Sequence, residues 1–314
     1  MKLIEIQGLR QGVSELVMGT DFIGMSGDQG ADNEVMDQFV AIGGNTMDSA
    51  RGYVGGRSEV GIGQWIAARG NRAQVNIFTK GAHPDENGSR MSKAKIREDL
   101  YNSLEALQTD YIDLYGLHRD DPSVPVGEIL EILNEHLEAG RILTIGGSNW
   151  THQRLEEANR YAAEHGLRGF DFNSPNLSLA KAQDPYWPDC VSLDSEGIAW
   201  HTRSGMPLLS WSSLSRGFFT GRFTPEDRSN ADLVRVFYND DNWERYRRAE
   251  SMAADKGVTT IQIALAYVLN QPFQAGAIIG SRNEAEFKSC LDATQIKLTP
   301  EELAWLDLSE LNLR

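Results

Sequence analysis

Short apolar runs and longer amphipathic stretches alternate along this chain eight times, and that alternation limits the fold more than any other feature. The strand-like runs are Val17–Thr20, Asn45–Ala50, Val75–Lys80, Tyr111–His118, Ile142–Asn149, Gly169–Ser174, Met206–Ser213 and Gly276–Ser281. Each is rich in Val, Ile, Leu or Phe and is bounded by Gly, Asn, Ser or a charge. They read as continuous apolar runs, the pattern of parallel strands covered on both faces. Between them, Asn33–Ile42, Ser58–Arg69, Ser92–Leu107, Val126–Ala139, Thr151–His165, Asp240–Lys256 and Thr260–Asn270 carry apolar residues at helical spacing. Ser92 is placed to cap the helix it opens. Thr299-Pro300-Glu301-Glu302 starts a last helix, to Leu308, with proline at its first position and acids in its first turn.

Eight such units make either a doubly wound sheet or a closed barrel. The first strand-to-helix turn, Gly19–Gly30, has no tight glycine loop running straight into a helix, as a doubly wound nucleotide fold wants. Eight is also the strand number that closes. The expectation is an α/β protein, a (β/α)8 TIM barrel forming one domain over residues 1–314, with Lys2–Ile6 and Val13–Leu16 as an N-terminal hairpin under the barrel and an extra C-terminal helix. The longest irregular stretches are Ala180–Gly197 and Leu214–Asn239; long loops that follow barrel strands build the active face.

Charge removes several function classes. A net charge of −15 repels nucleic acid and anionic membrane surfaces, so neither is expected as a partner. No segment approaches the length that spans a bilayer, and Met1–Gly12 lacks the apolar run of a signal peptide, so the chain reads as cytoplasmic. The two cysteines, Cys190 and Cys290, form neither a redox pair motif nor a zinc spacing. The sequence says nothing about oligomeric state.

On a barrel the catalytic candidates sit where strands end. Those ends read Met47-Asp48-Ser49-Ala50 with Tyr53 just beyond, Thr79-Lys80, Leu117-His118, Gly147-Ser148-Asn149, Asn173-Ser174, Trp211-Ser212-Ser213 and Gly280-Ser281-Arg282. An Asp, a Lys and a His at three successive ends of apolar strands require pairing, because buried charge is costly alone. An ion pair that merely ties two strands satisfies that requirement as well as a reaction centre does. A metal-dependent hydrolase using His118, Asp120 and Asp121 is a weaker reading: His83, His136, His152, His165 and His201 fall in predicted loops or helices, so no metal is expected.

The segment Gly44-Asn-Thr-Met-Asp48-Ser-Ala-Arg-Gly-Tyr53, with Gly56-Arg-Ser-Glu59 and Gly61 behind it, resembles the first signature of the aldo-keto reductase superfamily. Leu104-Glu-Ala-Leu-Gln-Thr-Asp-Tyr-Ile-Asp113-Leu-Tyr-Gly-Leu-His118 resembles the second, and Ile278-Ile-Gly-Ser-Arg282-Asn-Glu-Ala-Glu-Phe the coenzyme signature. Gly146-Gly-Ser148-Asn149-Trp and Ser212-Ser-Leu-Ser-Arg-Gly217-Phe-Phe-Thr-Gly221-Arg222 also fit, and all of these stand in family order.

The resemblance implies a tetrad of Asp48, Tyr53, Lys80 and His118, with Tyr53 as proton donor during carbonyl reduction. A phenol with its ordinary value of about 10 is a reluctant acid, and a neighbouring Lys⁺ is expected to lower it. Asp48 would hold Lys80, and His118 would orient the substrate oxygen. Ser148, Asn149 and Asn173 match positions that hold a nicotinamide carboxamide, and Trp211 one that stacks on its ring. Ser212, Leu214, Gly217 and Arg222, with Arg216 and Gly221, match the pyrophosphate loop; Gly280, Ser281, Arg282, Glu286 and Cys290 match the adenosine end.

Four positions depart from the family pattern. Asn173 stands where many relatives carry Gln, and Trp211 where many carry Tyr. Glu286 and Cys290 stand where many carry a basic or amide residue and Asn. Arg282 suits a ribose 2′-phosphate, whereas an acid at Glu286 opposes one. The coenzyme expected is NADP(H), with NAD(H) second. The substrate is a small carbonyl compound lined by Phe22 and Trp150, with Tyr186-Trp187 and Phe218-Phe219 adding aromatic surface. The polar loop Asp184–Asp194 suits a sugar-type substrate. The competing readings are a coenzyme-binding regulatory barrel with little turnover and an NAD-preferring alcohol or sugar dehydrogenase.

Overall fold

The computed structural model describes residues 1–309; residues 310–314, which the sequence reading counts in the barrel domain, lie outside the described residues. The chain begins with two short antiparallel strands, β1 (Leu3–Ile4) and β2 (Val13–Ser14), with Ile4 opposite Val13. Eight parallel strands follow: β3 (Leu16–Gly19), β4 (Thr46–Asp48), β5 (Asn76–Gly81), β6 (Ile112–Leu117), β7 (Ile142–Ser148), β8 (Phe172–Ser174), β9 (Leu208–Ser210) and β10 (Ala275–Ile279). They pair in chain order, and β10 pairs with β3 to close the barrel. Both the closed (β/α)8 architecture and the N-terminal hairpin agree with the sequence reading.

The barrel interior is apolar. Val17, Phe78, Leu114, Phe172, Leu209 and Ile278 form one cluster, and Ile4, Ile6 and Val13 of the hairpin segment join it from below. The rings of Phe78 and Phe172 meet edge to face at 5.1 Å. Phe172 lies over Gly146 so closely that a Cβ there would come within 2.4 Å of its ring, so the glycine makes room for the plug.

The helices are α1 (Gln29–Ala41), α2 (Arg57–Arg69), α3 (Lys93–Leu107), α4 (Val126–Glu138), α5 (His152–His165), α6 (Ser195–Ser204), α7 (Ala231–Phe237), α8 (Asp240–Lys256), α9 (Thr260–Leu269), α10 (Glu284–Ala293) and α11 (Pro300–Leu306). Ser92 accepts from the Lys95 N–H as the N-cap of α3, and Thr299 with Glu302 closes a capping box on α11. Helix α1 starts earlier than its apolar spacing indicates, because Asp28 accepts from the Gly30 and Ala31 N–H groups and nucleates the turn there.

Three helices escape the sequence reading. The stretch Ala180–Gly197 is irregular only as far as Asp194, which caps α6. Leu214–Asn239 contains a 3-10 turn over Ser215–Thr220 and the helix α7. Helix α10 buries only Phe287, Cys290 and Ala293. Each has too little apolar repeat to announce itself, and each is held by caps (Asp194, Asn230, Asn283) and by packing on the barrel.

Candidate active site

The four residues expected to form a tetrad come together because adjacent strands end at the same level. Gly19 pairs with Asp48, Asp48 with Phe78, and Gly81 with Leu117, so Asp48, Lys80 and His118 emerge side by side at the C-terminal rim. Gly116 lies opposite Lys80 on β6; a Cβ there would approach Phe78 to 2.9 Å and the Lys80 Cγ to 3.2 Å, so glycine leaves the lysine stem its path. Tyr53 enters from the loop after β4, its N–H donating to the Ala50 carbonyl at the head of a 3-10 turn. Val54, Gly55 and Gly56 then run through positive φ and turn the chain into α2.

Ser58 and Glu59 show what the first signature does physically. The Ser58 hydroxyl donates to the Thr20 carbonyl at 2.8 Å and lies 2.9 Å from the Ser49 hydroxyl. Glu59, fully buried, accepts from the Thr79 hydroxyl at 2.7 Å, and burial raises its carboxyl. The start of α2 is thereby bolted to β3 and β5, and the Tyr53 loop hangs between fixed points. Asp113 of the second signature serves likewise: it pairs with Arg72 at 2.7 Å and accepts from the Ile77 N–H, away from the rim.

At the rim, Lys80 Nζ donates to Asp48 Oδ1 at 2.5 Å, to the Ser49 carbonyl at 2.8 Å and to Tyr53 Oη at 3.5 Å. The Tyr53 and His118 rings meet edge to face at 5.7 Å. Asp48 and Lys80 are buried, while Tyr53 and His118 are partly exposed. Burial raises the Asp48 carboxyl to about 6 against the pull of Lys80. Burial also holds the Lys80 ammonium below its ordinary value, with Asp48 opposing that shift. His118 is held well below the usual imidazole value by burial and then by the charges of Lys80, Arg119 and His83, so the ring is neutral.

Tyr53 corrects an expectation. Lys80 does not bring the phenol down; burial, with Asp48 and Asp21 nearby, pushes it well above 10, and Arg119 opposes them only in part. The Lys80 ammonium, paired with Asp48 and 3.5 Å from the phenol, does not outweigh that burial while the phenol is neutral. The consequence is a phenol that remains protonated across the neutral range.

Eight of the remaining predicted positions lie around the same rim. Asn173 is buried, and its Nδ2 donates to His201 Nε2 at 3.3 Å. His201 Nδ1 donates to the Met206 carbonyl at 2.8 Å, and burial lowers the ring to about 4; this fixes the neutral tautomer and so the orientation of the Asn173 amide. Asn173 Oδ1 is left buried without a protein partner. An amide N–H₂ such as a nicotinamide carboxamide would satisfy it. Ser148 and Asn149 are already engaged. Ser148 donates to the Ser174 carbonyl, and Asn149 Oδ1 accepts from the Val191 N–H and from Trp211 Nε1, both at 3.1 Å. The Trp211 ring is thereby aimed by Asn149. Ser212, Ser215, Arg216 and Gly217 all have positive φ, and the Ser215 hydroxyl is buried without a partner. The Ser215 and Gly217 N–H groups close turns onto the Ser212 and Leu214 carbonyls, and a loop curled in this way can form a cradle for an anion such as pyrophosphate. Leu214 caps that turn, and Arg222 is exposed beside it. Arg216 differs from expectation: its guanidinium stacks on Tyr186 and Trp187 at 4.7 and 5.2 Å, joining the two long loops.

At the far end, Gly280 and Arg282 are exposed, and Arg282 lies over the Phe22 ring at 4.6 Å. Glu286 is turned back onto the chain: Oε2 accepts from the Arg282 N–H at 2.9 Å while its own N–H donates to Asn283, capping α10. Cys290 is buried 3.5 Å from the Ser281 hydroxyl, and burial raises its thiol to about 11. The buried orphan on Asn173, the cradle at Ser212–Gly217 and the free Arg282 fit a nicotinamide dinucleotide.

The aldo/keto reductase family profile matches residues 15–310. The chain belongs to the aldo/keto reductase family. It is 30% identical to norsolorinic acid reductase B of Aspergillus parasiticus over 284 residues, spanning 86% of this chain and 72% of that protein. It is 30% identical to the aldo-keto reductase YhdN of Bacillus subtilis over 280 residues, spanning 85% and 78%. It is 28% identical to an aryl-alcohol dehydrogenase of Pestalotiopsis microspora, spanning 86% and 70%. A thermostable aldo-keto reductase crystallised with the inhibitor epalrestat has the same fold, with a TM-score of 0.77 at 24% identity, covering 98% of this chain and 99% of that one. This aldo/keto reductase is therefore an oxidoreductase of a family that generally uses nicotinamide coenzymes.

Two residues expected to line the substrate are buried. Trp150 is 1% exposed: its Nε1 donates to the Arg119 carbonyl, and its ring packs on Phe170. Phe22 lies under the Arg282 guanidinium. Phe218 and Phe219 are likewise buried, in an aromatic cluster with Trp243 and Tyr246, because the 3-10 turn folds them inward. Asp120 is tied to Arg154, and among the described residues no group of His, Cys, Asp or Glu is arranged to hold a metal ion. No helix is long and apolar enough to cross a membrane, again among the described residues.

Sequence reasoning passed over two rim residues. Arg119 acts electrostatically on Tyr53, Lys80 and His118, and His83 lies edge to face with His118 at 4.9 Å. Both follow a strand end by one to three positions, which was the available signal.

Proposed function

We propose that this aldo/keto reductase is an NADP(H)-dependent carbonyl reductase in which Tyr53 delivers the proton. The carrying observation is the chain of contacts Asp48–Lys80–Tyr53 beside a neutral His118. Bound coenzyme would supply the hydride. Hydride addition turns a carbonyl oxygen into an alkoxide, a base strong enough to take a proton from a phenol that its surroundings keep protonated. Lys80, anchored on Asp48 and the Ser49 carbonyl, then stands ready to stabilise the phenolate as it forms. His118, as a neutral donor, orients the carbonyl. Asn173, Ser148, Asn149 and Trp211 would hold the nicotinamide end, Ser212–Gly217 and Arg222 the pyrophosphate, and Arg282 a ribose 2′-phosphate. NADP(H) is favoured over NAD(H) because the Glu286 carboxylate is turned back to accept from the Arg282 N–H and the Arg282 guanidinium has no carboxylate partner among the described residues. The similarity to a norsolorinic acid reductase and an aryl-alcohol dehydrogenase supports carbonyl–alcohol interconversion.

The test is coenzyme absorbance with NADPH and, separately, NADH across aldehydes, ketones and sugars, with Tyr53→Phe beside the parent. Turnover that disappears in the variant while coenzyme still binds supports the reading. Tight coenzyme binding without turnover of any carbonyl compound points instead to a regulatory barrel.

A further inference from the structure

Arg119 is a buried cation without a counter-ion. It is 6% exposed, and among the described residues no carboxylate lies within salt-bridge distance of it. Partly buried arginines near the barrel are matched: Arg72 with Asp113, Arg90 with Asp99, Arg154 with Asp120. Arg245 is also unmatched, but it lies far along the chain on α8, where it donates to the Asp307 carbonyl. Arg119 follows His118 directly at the end of β6, close enough to act on Tyr53, Lys80 and His118.

Its geometry is set. Nε donates to the Pro188 carbonyl at 3.2 Å and Nη1 to the His118 carbonyl at 2.8 Å, so the guanidinium plane is fixed from two sides. Nη2 makes no protein hydrogen bond, yet it is not among the sealed, unpartnered polar atoms, so it opens onto accessible space. A guanidinium offers five N–H donors, and the edge shared by Nη1 and Nη2 is the one that meets a carboxylate in two parallel bonds. At the rim Asp48 and Lys80 cancel, His118 is neutral, and the exposed Asp21 offsets part of the remaining charge without pairing with Arg119, in a protein that carries −15 overall. Burying that charge unpaired is costly, and an anionic group on the ligand removes the cost.

We propose that Arg119 is a specificity residue that receives a carboxylate of the carbonyl substrate, so that the preferred substrates are aldehyde or keto acids. This rests on the reductase reading above and names its substrate class. Asp189 is exposed on the same loop as Pro188 and does not reach Arg119, so it does not neutralise the site.

The full chain is assayed with NADPH on succinic semialdehyde and carboxybenzaldehyde, each beside its neutral methyl ester. The parent protein is expected to favour the acids by about 30-fold in kcat/KM, the range of a charge-assisted pair of hydrogen bonds. Arg119→Met should bring that ratio to within about threefold of unity, and Arg119→Lys should leave it between the two. A parent ratio near one overturns the proposal. So does a methionine variant that loses the same factor on acid and ester, since that is the behaviour of a clamp acting only through Pro188. Benzoate binding, read by tryptophan fluorescence without turnover, separates the two levels. Benzoate held by the parent and lost in Arg119→Met, with no aldehyde reduced, would keep the carboxylate site and discard the reductase reading. Benzoate bound by neither protein would discard the site whatever the turnover.

Discussion

The two ends of the barrel solve opposite problems. The lower end is closed by Ile4, Ile6 and Val13 against Phe78 and Phe172, without a charge in the cluster. The upper rim buries Asp48, Lys80 and Arg119, leaves acceptor and donor atoms of Asn173, Ser174, His118 and Ser215 unpaired, and bends four residues of one loop into positive φ. Each upper feature costs stability where each lower one adds it. The contrast shows a stable apolar base carrying a polar, strained rim, and it locates function by where local rules are broken.

That contrast can be broken from either end, starting with the largest effect. Tyr53→Phe should lower kcat by at least about 10²- to 10⁴-fold, the range of a general acid, with the urea midpoint unmoved; a variant that keeps a tenth of the activity would remove Tyr53 as donor. Lys80→Met should destabilise by about 3–5 kcal/mol, because it strands Asp48 in a buried site. Adding Asp48→Asn should restore much of that stability and none of the turnover. Urea unfolding of the double variant decides this: equal destabilisation of single and double would mean that the stranded charge is not the cause.

At the lower end, Ile4→Ala should cost about 2–4 kcal/mol by leaving a cavity in the plug, while kcat stays that of the parent. A fall in kcat at full folding would show that the two ends are coupled. The smallest effect concerns pH. Asp48 has its folded value raised to about 6, above the ordinary carboxylate range. Its contribution to stability is therefore fully present below the unfolded value and is lost as pH rises through about 6. Turnover runs the other way, since protonating Asp48 takes the counter-charge from Lys80. The kcat profile should show an acid limb near pH 6, which Asp48→Asn abolishes; an unchanged limb in that variant would assign it to another group.

Much of this was legible before any fold was known. The eight strands are short apolar runs with clear borders, and the tetrad residues stand at strand ends, where a barrel puts its chemistry. Ser92 and Thr299 announce their helices through local hydrogen bonds that need no tertiary partner. Helices α6, α7 and α10 were illegible because polar sequences held by caps and docking carry little periodic signal. Trp150 and Phe218 read as pocket aromatics, since sequence gives their position on a loop but not the direction in which the loop folds them.

The sequence by itself determined the barrel, its hairpin and the family, and pointed to the four residues proposed as a tetrad, because periodicity, caps and motif spacing are local properties of a chain. Tertiary structure alone decided which charges are paired, which amides are already satisfied and which groups remain open. Asn149 meets Trp211 across 62 residues, Lys80 meets Asp48 across 32, and Arg119 is fixed by Pro188 across 69. Those meetings exist only once the barrel closes, and burial then sets the protonation of every group at the rim.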